Sequence, residues 1–83
     1  MSFINVFFTL NGRNINMQTT ANEMFAELAL RYMQKAGLQE QDAPKFFFSS
    51  QELILTSAKT LADYKINNNA KIDVVPTSTV IGA

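Results

Sequence analysis

Two runs with apolar residues fill most of the first twenty positions and are separated by Asn11-Gly12. The first run, residues 3–10, is rich in β-branched and aromatic residues, and the second, Arg13–Thr20, is apolar at alternate positions. An Asn-Gly pair between two such runs is typical of a two-residue hairpin turn, because both central positions of a type I′ turn need a positive φ. The pattern therefore predicts an antiparallel hairpin in which Phe8 faces Ile15.

The length of this turn decides which side chains reach the core, because a shift of one residue moves each side chain to the other face of the sheet. A three-residue loop would place Asn5 in the core, at a cost of about 1–3 kcal/mol unless it found a hydrogen-bond partner. We therefore favour the two-residue turn. It places five apolar residues on one face: Ile4, Val6, Phe8, Ile15 and Met17.

A helix is predicted next. Thr20, with Glu23 three positions later, is spaced as in a capping box, where each side chain binds an unpaired amide of the first turn. Apolar residues then recur at helical spacing and predict the buried side of the helix: Phe25, Leu28, Ala29, Tyr32 and Ala36. Gly37 is expected to end the helix in the left-handed conformation.

The second half of the chain predicts shorter elements after a polar connector at Gln39–Pro44. These are a strand at Lys45–Ser50, a strand or its continuation at Leu53–Leu55, a helical turn at Thr60–Ile66 and a last strand at Ile72–Pro76. In the strand at 45–50, alternation directs Phe46 and Phe48 to the core and Phe47 outward. The order predicts an α+β sandwich with one helix across a mixed sheet, the last strand lying parallel to the first at its centre.

Composition narrows the classes of function. The chain has 83 residues and 47% hydrophobic residues, which indicates one small folded domain and argues against disorder. It contains no Cys and no His, so disulfides, thiolate nucleophiles and imidazole bases are excluded. Seven basic residues balance seven acidic ones, which argues against a dedicated nucleic-acid binder. No apolar run approaches the roughly 18 residues that span a bilayer.

Candidate chemistry is sparse. The acidic residues are scattered, and a Ser, Thr or Tyr nucleophile would lack a histidine base, so we predict neither an enzyme nor a metal or cofactor site. The N-terminal stretch has no basic flank and makes a poor signal peptide, which favours an intracellular, cytoplasmic or nuclear, location. Lys45 with three following Phe residues could indicate an RNA-stacking strand, but alternation buries two of the rings, and this hypothesis ranks last.

Several segments resemble the ubiquitin family. Thr9–Ile15 is similar to ubiquitin's first hairpin turn, and Thr60-Leu61-Ala62-Asp63-Tyr64-Lys65-Ile66 closely resembles ubiquitin's Thr-Leu-Ser-Asp-Tyr-Asn-Ile. The helix, with its Tyr32 before Gly37, looks more like that of SUMO. The resemblance implies a ubiquitin-like β-grasp domain over residues 1–76 and a C-terminal tail over residues 77–83, with Tyr64 in a structural role.

The resemblance also implies a binding surface. Phe47 and Val75 match two corners of ubiquitin's hydrophobic recognition patch, and Leu10, in the hairpin turn, matches the third. We expect these three residues to converge on one face and bind other proteins. Val80 and Ile81 in the tail would suit an apolar groove, as in a small subunit of a stable multi-subunit complex.

The C-terminal sequence leaves a second function open. Ubiquitin and SUMO are activated through a terminal Gly-Gly, whereas this sequence ends Val80-Ile81-Gly82-Ala83. That ending resembles the ubiquitin-fold modifier that matures to a Val-Gly terminus. The leading hypothesis is a non-enzymatic protein–protein interaction module that inserts into no membrane; the alternative is a conjugatable modifier, activated at Gly82 after removal of Ala83.

Overall fold

The structure, a computed structural model, describes residues 2–76. Within this range one α-helix packs on one face of a five-stranded mixed sheet with the strand order β2-β1-β5-β3-β4. The elements are β1 (Ile4–Leu10), β2 (Arg13–Thr19), α1 (Phe25–Ala36), a 3₁₀ turn (Glu40–Asp42), β3 (Lys45–Phe48), β4 (Gln51–Leu53) and β5 (Ala70–Val75). The predicted α+β architecture is confirmed.

The first hairpin has the predicted two-residue turn. Asn11 and Gly12 have φ angles of 52° and 79°, and Leu10 pairs with Arg13 across them. Phe8 faces Ile15, so the predicted register is confirmed along the whole hairpin. A second turn of the same kind joins β3 to β4, with positive φ at both of its central serines.

The last strand lies at the centre of the sheet, as the pattern predicted. β5 runs parallel to β1, with Ile72 opposite Phe8, and antiparallel to β3, with Val74 opposite Phe46. Because all four of these side chains are buried, the middle of the sheet supplies much of the core.

The predicted capping box is wrong. The helix begins at Phe25, later than a Thr20 cap would require, and no side chain caps its first turn. Instead, the Phe25 N–H donates to the main-chain oxygen of Lys59 (3.0 Å). The carboxylate of Glu23 accepts hydrogen bonds from the Thr19 hydroxyl and from the Arg31 guanidinium, which ties the end of β2 to the helix.

The end of the helix agrees with the sequence prediction. Gly37 has a φ of 78°, in the left-handed region, and its N–H donates to the oxygen of Gln34 (3.3 Å). Ala36, predicted as core, is only half-buried, while Met33 is buried in the last turns of the helix.

Aromatic side chains fill the core between helix and sheet. The ring of Phe8 stacks on that of Tyr32, with centroids 4.3 Å apart, and Phe46 meets both rings edge-on at 5.8 and 6.0 Å. Offset and edge-on arrangements of this kind stabilise a core beyond the area they bury. The cluster therefore packs the helix against β1 and β3, the strands on either side of β5.

The segment at Thr60–Ile66 makes consecutive turns that bury three predicted residues, Leu61, Tyr64 and Ile66. Thr60 and Asp63 bind each other's main-chain amides through their side chains. The Tyr64 hydroxyl accepts a hydrogen bond from the N–H of Ile54 (3.2 Å), which agrees with the structural role expected for this residue.

Candidate functional site

The two faces of the sheet differ in what covers them. The helix packs on the face that carries Val6, Phe8, Ile72 and Val74, all of them buried. Side chains at the alternate positions of the same strands point to the opposite, outer face. Apolar residues on the outer face are not required by the core and are therefore candidates for binding.

Phe47 and Val75 both lie on the outer face. Phe47 is opposite Asp73, and Val75 is opposite Lys45, so the two apolar residues are diagonal neighbours on adjacent strands. Diagonal pairs are roughly 7–8 Å apart, within reach of an aromatic side chain. Val75 is 45% exposed, while Phe47 is half-buried, less open than its outward direction suggested. The structure thus brings two of the three predicted patch residues together.

Leu10 does not join them. It shares the parity of Val6 and Phe8 along β1, and it packs against the core on the helix side. The expectation that Leu10 converges with Phe47 and Val75 is therefore wrong. The physical reason is the two-residue turn, which preserves the alternation of β1 up to its last residue. Leu10 instead borders a groove of about 250 Å³ that also contacts Leu38, Pro44 and Pro76.

Phe7 is an outer-face residue that the sequence reasoning missed. It is half-buried and lies opposite Asn16 on β2 and Lys71 on β5. Together with Thr9, Asn14 and Lys71 it borders a shallow cavity of about 270 Å³. The alternation that predicts an outward-facing Phe47 also predicts an outward-facing Phe7. Phe7 is separated from Phe47 and Val75 by Lys71 and Asp73 of β5, so we call only Phe47 and Val75 the outer patch.

Charges of both signs surround the outer patch. Lys71 and Asp73 alternate with Val75 along β5, while Lys45 and Glu52 lie on the neighbouring strands. Within residues 2–76 the only ion pair joins Arg31 to Glu23, so none of these four charged residues is paired there. All four are exposed to solvent. Apolar residues set among mixed charges suit a protein surface better than a phosphate backbone, which requires an excess of cations.

The remaining predicted site residues, Val80, Ile81 and Gly82, lie outside the described residues. Within residues 2–76, no group of three or more acidic side chains could hold a metal ion. In the same range, no helix has the length and apolar composition needed to cross a bilayer.

Comparison with known proteins identifies the fold. No family model and no curated protein matches the chain. Among solved structures, ATBAG1 in complex with HSP70 matches through a ubiquitin-like domain, with a TM-score of 0.77 over 88% of this chain at 16% identity. The chain has a ubiquitin-like β-grasp fold. This chain covers 40% of the ATBAG1 chain.

The comparison does not select a particular member of the ubiquitin-like proteins. The similarity to SUMO and to the ubiquitin-fold modifier stays a matter of sequence resemblance. In all, 304 chains of solved structures match. Because a shared fold does not determine function, the function has to be argued from the surface of this chain.

Proposed function

We propose that this chain is a non-enzymatic ubiquitin-like module that binds other proteins through the outer patch. The observation that carries the proposal is the position of Val75. A valine that is 45% exposed contributes little to the core, yet it lies beside half-buried Phe47 on the face that the helix leaves open. Aromatic residues are enriched at protein interfaces, and the exposed valine enlarges the apolar area beside Phe47.

Two further observations support a protein as the partner. The charges around the outer patch have both signs, which fits a partner protein with a polar rim. In addition, ATBAG1, which shares the fold, was solved in complex with HSP70. Nothing on the present surface specifies HSP70, so the partner of this chain is defined only by chemistry: a protein with an apolar contact region.

The test uses matched pairs of exposed side chains. Val75 and Ile54 are exposed to almost the same extent, 45% and 44%, but Ile54 follows β4 outside the outer patch. Phe47→Ala can likewise be compared with Phe3→Ala, since Phe3 is 61% exposed and precedes β1. Each variant would be immobilised and exposed to extract of the source cells, and the bound proteins quantified by mass spectrometry.

We expect the same partner to be lost from the Phe47→Ala and Val75→Ala variants and retained by the Phe3→Ala and Ile54→Ala controls. Loss of a central aromatic anchor costs about 2 kcal/mol or more, which is a roughly thirtyfold weakening. If the partner stayed bound to both outer-patch variants, or left all four equally, the outer patch would not be the binding surface.

A role as a small subunit extends the same proposal. Val80 and Ile81 are the larger apolar residues of the uncharged tail, and burying them in a partner would add to the contact made by the outer patch. Replacing both with serine is then expected to weaken the assembly while leaving the thermal stability of the domain unchanged.

The alternative function is conjugation through Gly82, which rests on the resemblance of the segment Val80-Ile81-Gly82-Ala83 to the ubiquitin-fold modifier. An N-terminally tagged chain expressed in its own cells would distinguish the two functions. A ladder of higher-mass species under denaturing conditions, abolished by deletion of Gly82, would support conjugation and contradict a purely non-covalent module. A single band of unchanged mass would support the interaction module.

A further inference from the structure

A small cleft opens between the edge strand β2 and the last turns of α1, away from the outer patch. Its volume is about 90 Å³. The lining combines two basic residues, one phenol and three aliphatic side chains: Arg13, Lys35, Tyr32, Leu10, Ile15 and Ala36. No acidic residue contributes to this lining. We call this feature the Tyr32 cleft.

Tyr32 is a core residue with an unused polar atom. Its ring stacks on Phe8, and the residue is only 1% exposed. Within residues 2–76 its hydroxyl has no hydrogen-bond partner, although the residue reaches the wall of the cleft. No buried side-chain oxygen or nitrogen of the described residues lacks a hydrogen-bond partner, so the Tyr32 hydroxyl oxygen is reached by solvent at the cleft wall. The hydroxyl is therefore accessible from the cleft and can donate a hydrogen bond to solvent or to an entering group.

The hydroxyl is a donor at neutral pH. Burial raises the pKa of Tyr32 above its ordinary value, and the nearby Arg13 guanidinium partly opposes this shift. Arg13 and Tyr32 both line the cleft. An acceptor that entered the cleft would meet both groups together.

The two cations of the cleft have no counterion in the described part of the chain. Neither Arg13 nor Lys35 forms an ion pair there, whereas Arg31, on the same helix as Lys35, is held by Glu23 at 2.6 Å. Arg31 also donates to the main-chain oxygen of Gln18, which anchors it at the far end of β2. Arg13 and Lys35 thus line one cleft as two cations without an ion pair in the described residues.

We propose that the Tyr32 cleft binds the side-chain carboxylate of an acidic residue on a partner protein. This inference rests on the proposed function and names a chemistry that the partner must carry. Arg13 and Lys35 supply the charge, and the Tyr32 hydroxyl supplies a hydrogen bond. Leu10 and Ile15 contact the methylene groups of the entering chain.

A carboxylate fits better than a phosphate. Phosphate sites commonly use the N–H groups at a helix N-terminus, but this cleft lies at the C-terminal end of α1, where the helix dipole is negative. A singly charged group loses less to that dipole than a doubly charged one. The balanced net charge of the chain also disfavours a polyanion such as nucleic acid.

The probes are two blocked tetrapeptides, one with two glutamates between leucines and the other with glutamines in their place. Each would be titrated into the ¹⁵N-labelled chain while amide shifts are followed by NMR. We expect the glutamate peptide to shift amides around Arg13, Ile15 and Lys35, and the glutamine peptide to leave them unchanged. Inorganic phosphate is titrated in parallel as the competing anion.

Variants assign the binding to the cleft. Lys35→Gln and Tyr32→Phe are each expected to raise the dissociation constant of the glutamate peptide about tenfold, since both remove a contact to a charged group. Lys65→Gln removes the same charge from an exposed position elsewhere and is expected to have no effect. Lys35 is exposed, so its variant stays informative even if Tyr32→Phe fails to fold.

Several outcomes would overturn the proposal. These are equal shifts with both peptides, an equal effect of Lys65→Gln, or phosphate that binds at the cleft while the glutamate peptide does not. The proposed function is tested separately, because partner capture in the Phe47→Ala experiment does not depend on these peptides. Retained capture through the outer patch with no peptide binding would refute only the inference about the Tyr32 cleft.

Discussion

Phe46 and Phe47 are adjacent in β3 and carry the same side chain, but they point to opposite faces of the sheet. Replacing each with alanine, one at a time, therefore compares the core with the outer patch at almost the same position in the chain. Phe46 is fully buried, and its ring meets those of Phe8, Phe25 and Tyr32 at 5.8, 5.5 and 6.0 Å. Phe47 is half-buried.

The expected losses of stability differ by several kcal/mol. Removing a fully buried phenylalanine costs about 3–5 kcal/mol, because burial is lost and a cavity is left. A domain of this size has a total unfolding free energy of about 4–11 kcal/mol, so Phe46→Ala removes a large share of it. For Phe47→Ala we expect about 1 kcal/mol, since part of its ring already contacts water and no enclosed cavity forms.

Urea unfolding followed by circular dichroism measures both values, and the midpoints can be compared directly if the slopes agree. The reasoning would be refuted if Phe47→Ala cost as much as Phe46→Ala, since that would mean that the strand faces are reversed or that the outer face is covered. If Phe46→Ala is too unstable to purify, Phe46→Leu gives the same ranking with a smaller loss.

Two further predictions follow from single residues. Gly12→Ala is expected to lower the unfolding free energy by about 1–2 kcal/mol, because the φ of Gly12 is +79°. An added Cβ would meet no atom within 4 Å, so the loss comes from backbone strain alone. An unchanged melting temperature would contradict the left-handed turn. Because burial raises the pKa of Tyr32, the folded chain retains this proton more tightly, so stability should fall as the pH rises through and above about 10. Urea unfolding between about pH 8 and about pH 11 should show a smaller fall in Tyr32→Phe, and an identical fall would contradict the assignment.

The hairpin could be predicted from sequence because its information is local. Asn11-Gly12 specifies the turn, the turn specifies the register, and the register specifies which residues are buried. The central position of β5 followed from its apolar run, and Phe7 was within reach of the same argument. Phe7 lies between Val6 and Phe8, which both face the core, so alternation along β1 directs it outward.

The start of the helix could not be predicted in the same way. Thr20 and Glu23 have the spacing of a capping box, but the Phe25 N–H is satisfied by Lys59, which is distant in sequence. The Glu23 carboxylate instead accepts hydrogen bonds from Thr19 and Arg31. A local pattern cannot report a competing partner from another part of the chain.

The Tyr32 cleft, like the start of the helix, could not be predicted from a local sequence pattern. Arg13 ends a hairpin turn, while Tyr32 and Lys35 belong to a helix, and their spacing in sequence matches no binding motif. Only the packing of β2 against α1 brings them together. For Leu10 the family resemblance predicted the outer face, but the alternation along β1 directs its side chain to the helix side.

The position of β5 has a consequence for how the protein is made. Of the strands within residues 2–76, the one at the centre of the sheet is the last to leave the ribosome, so β1 has no parallel neighbour until residues 70–75 have emerged. At roughly 5–20 residues per second, translation leaves the first hairpin and helix without a closed core for several seconds. During that interval their apolar faces are open to chaperones, and a stop codon placed before Ala70 would release a chain that cannot complete its sheet.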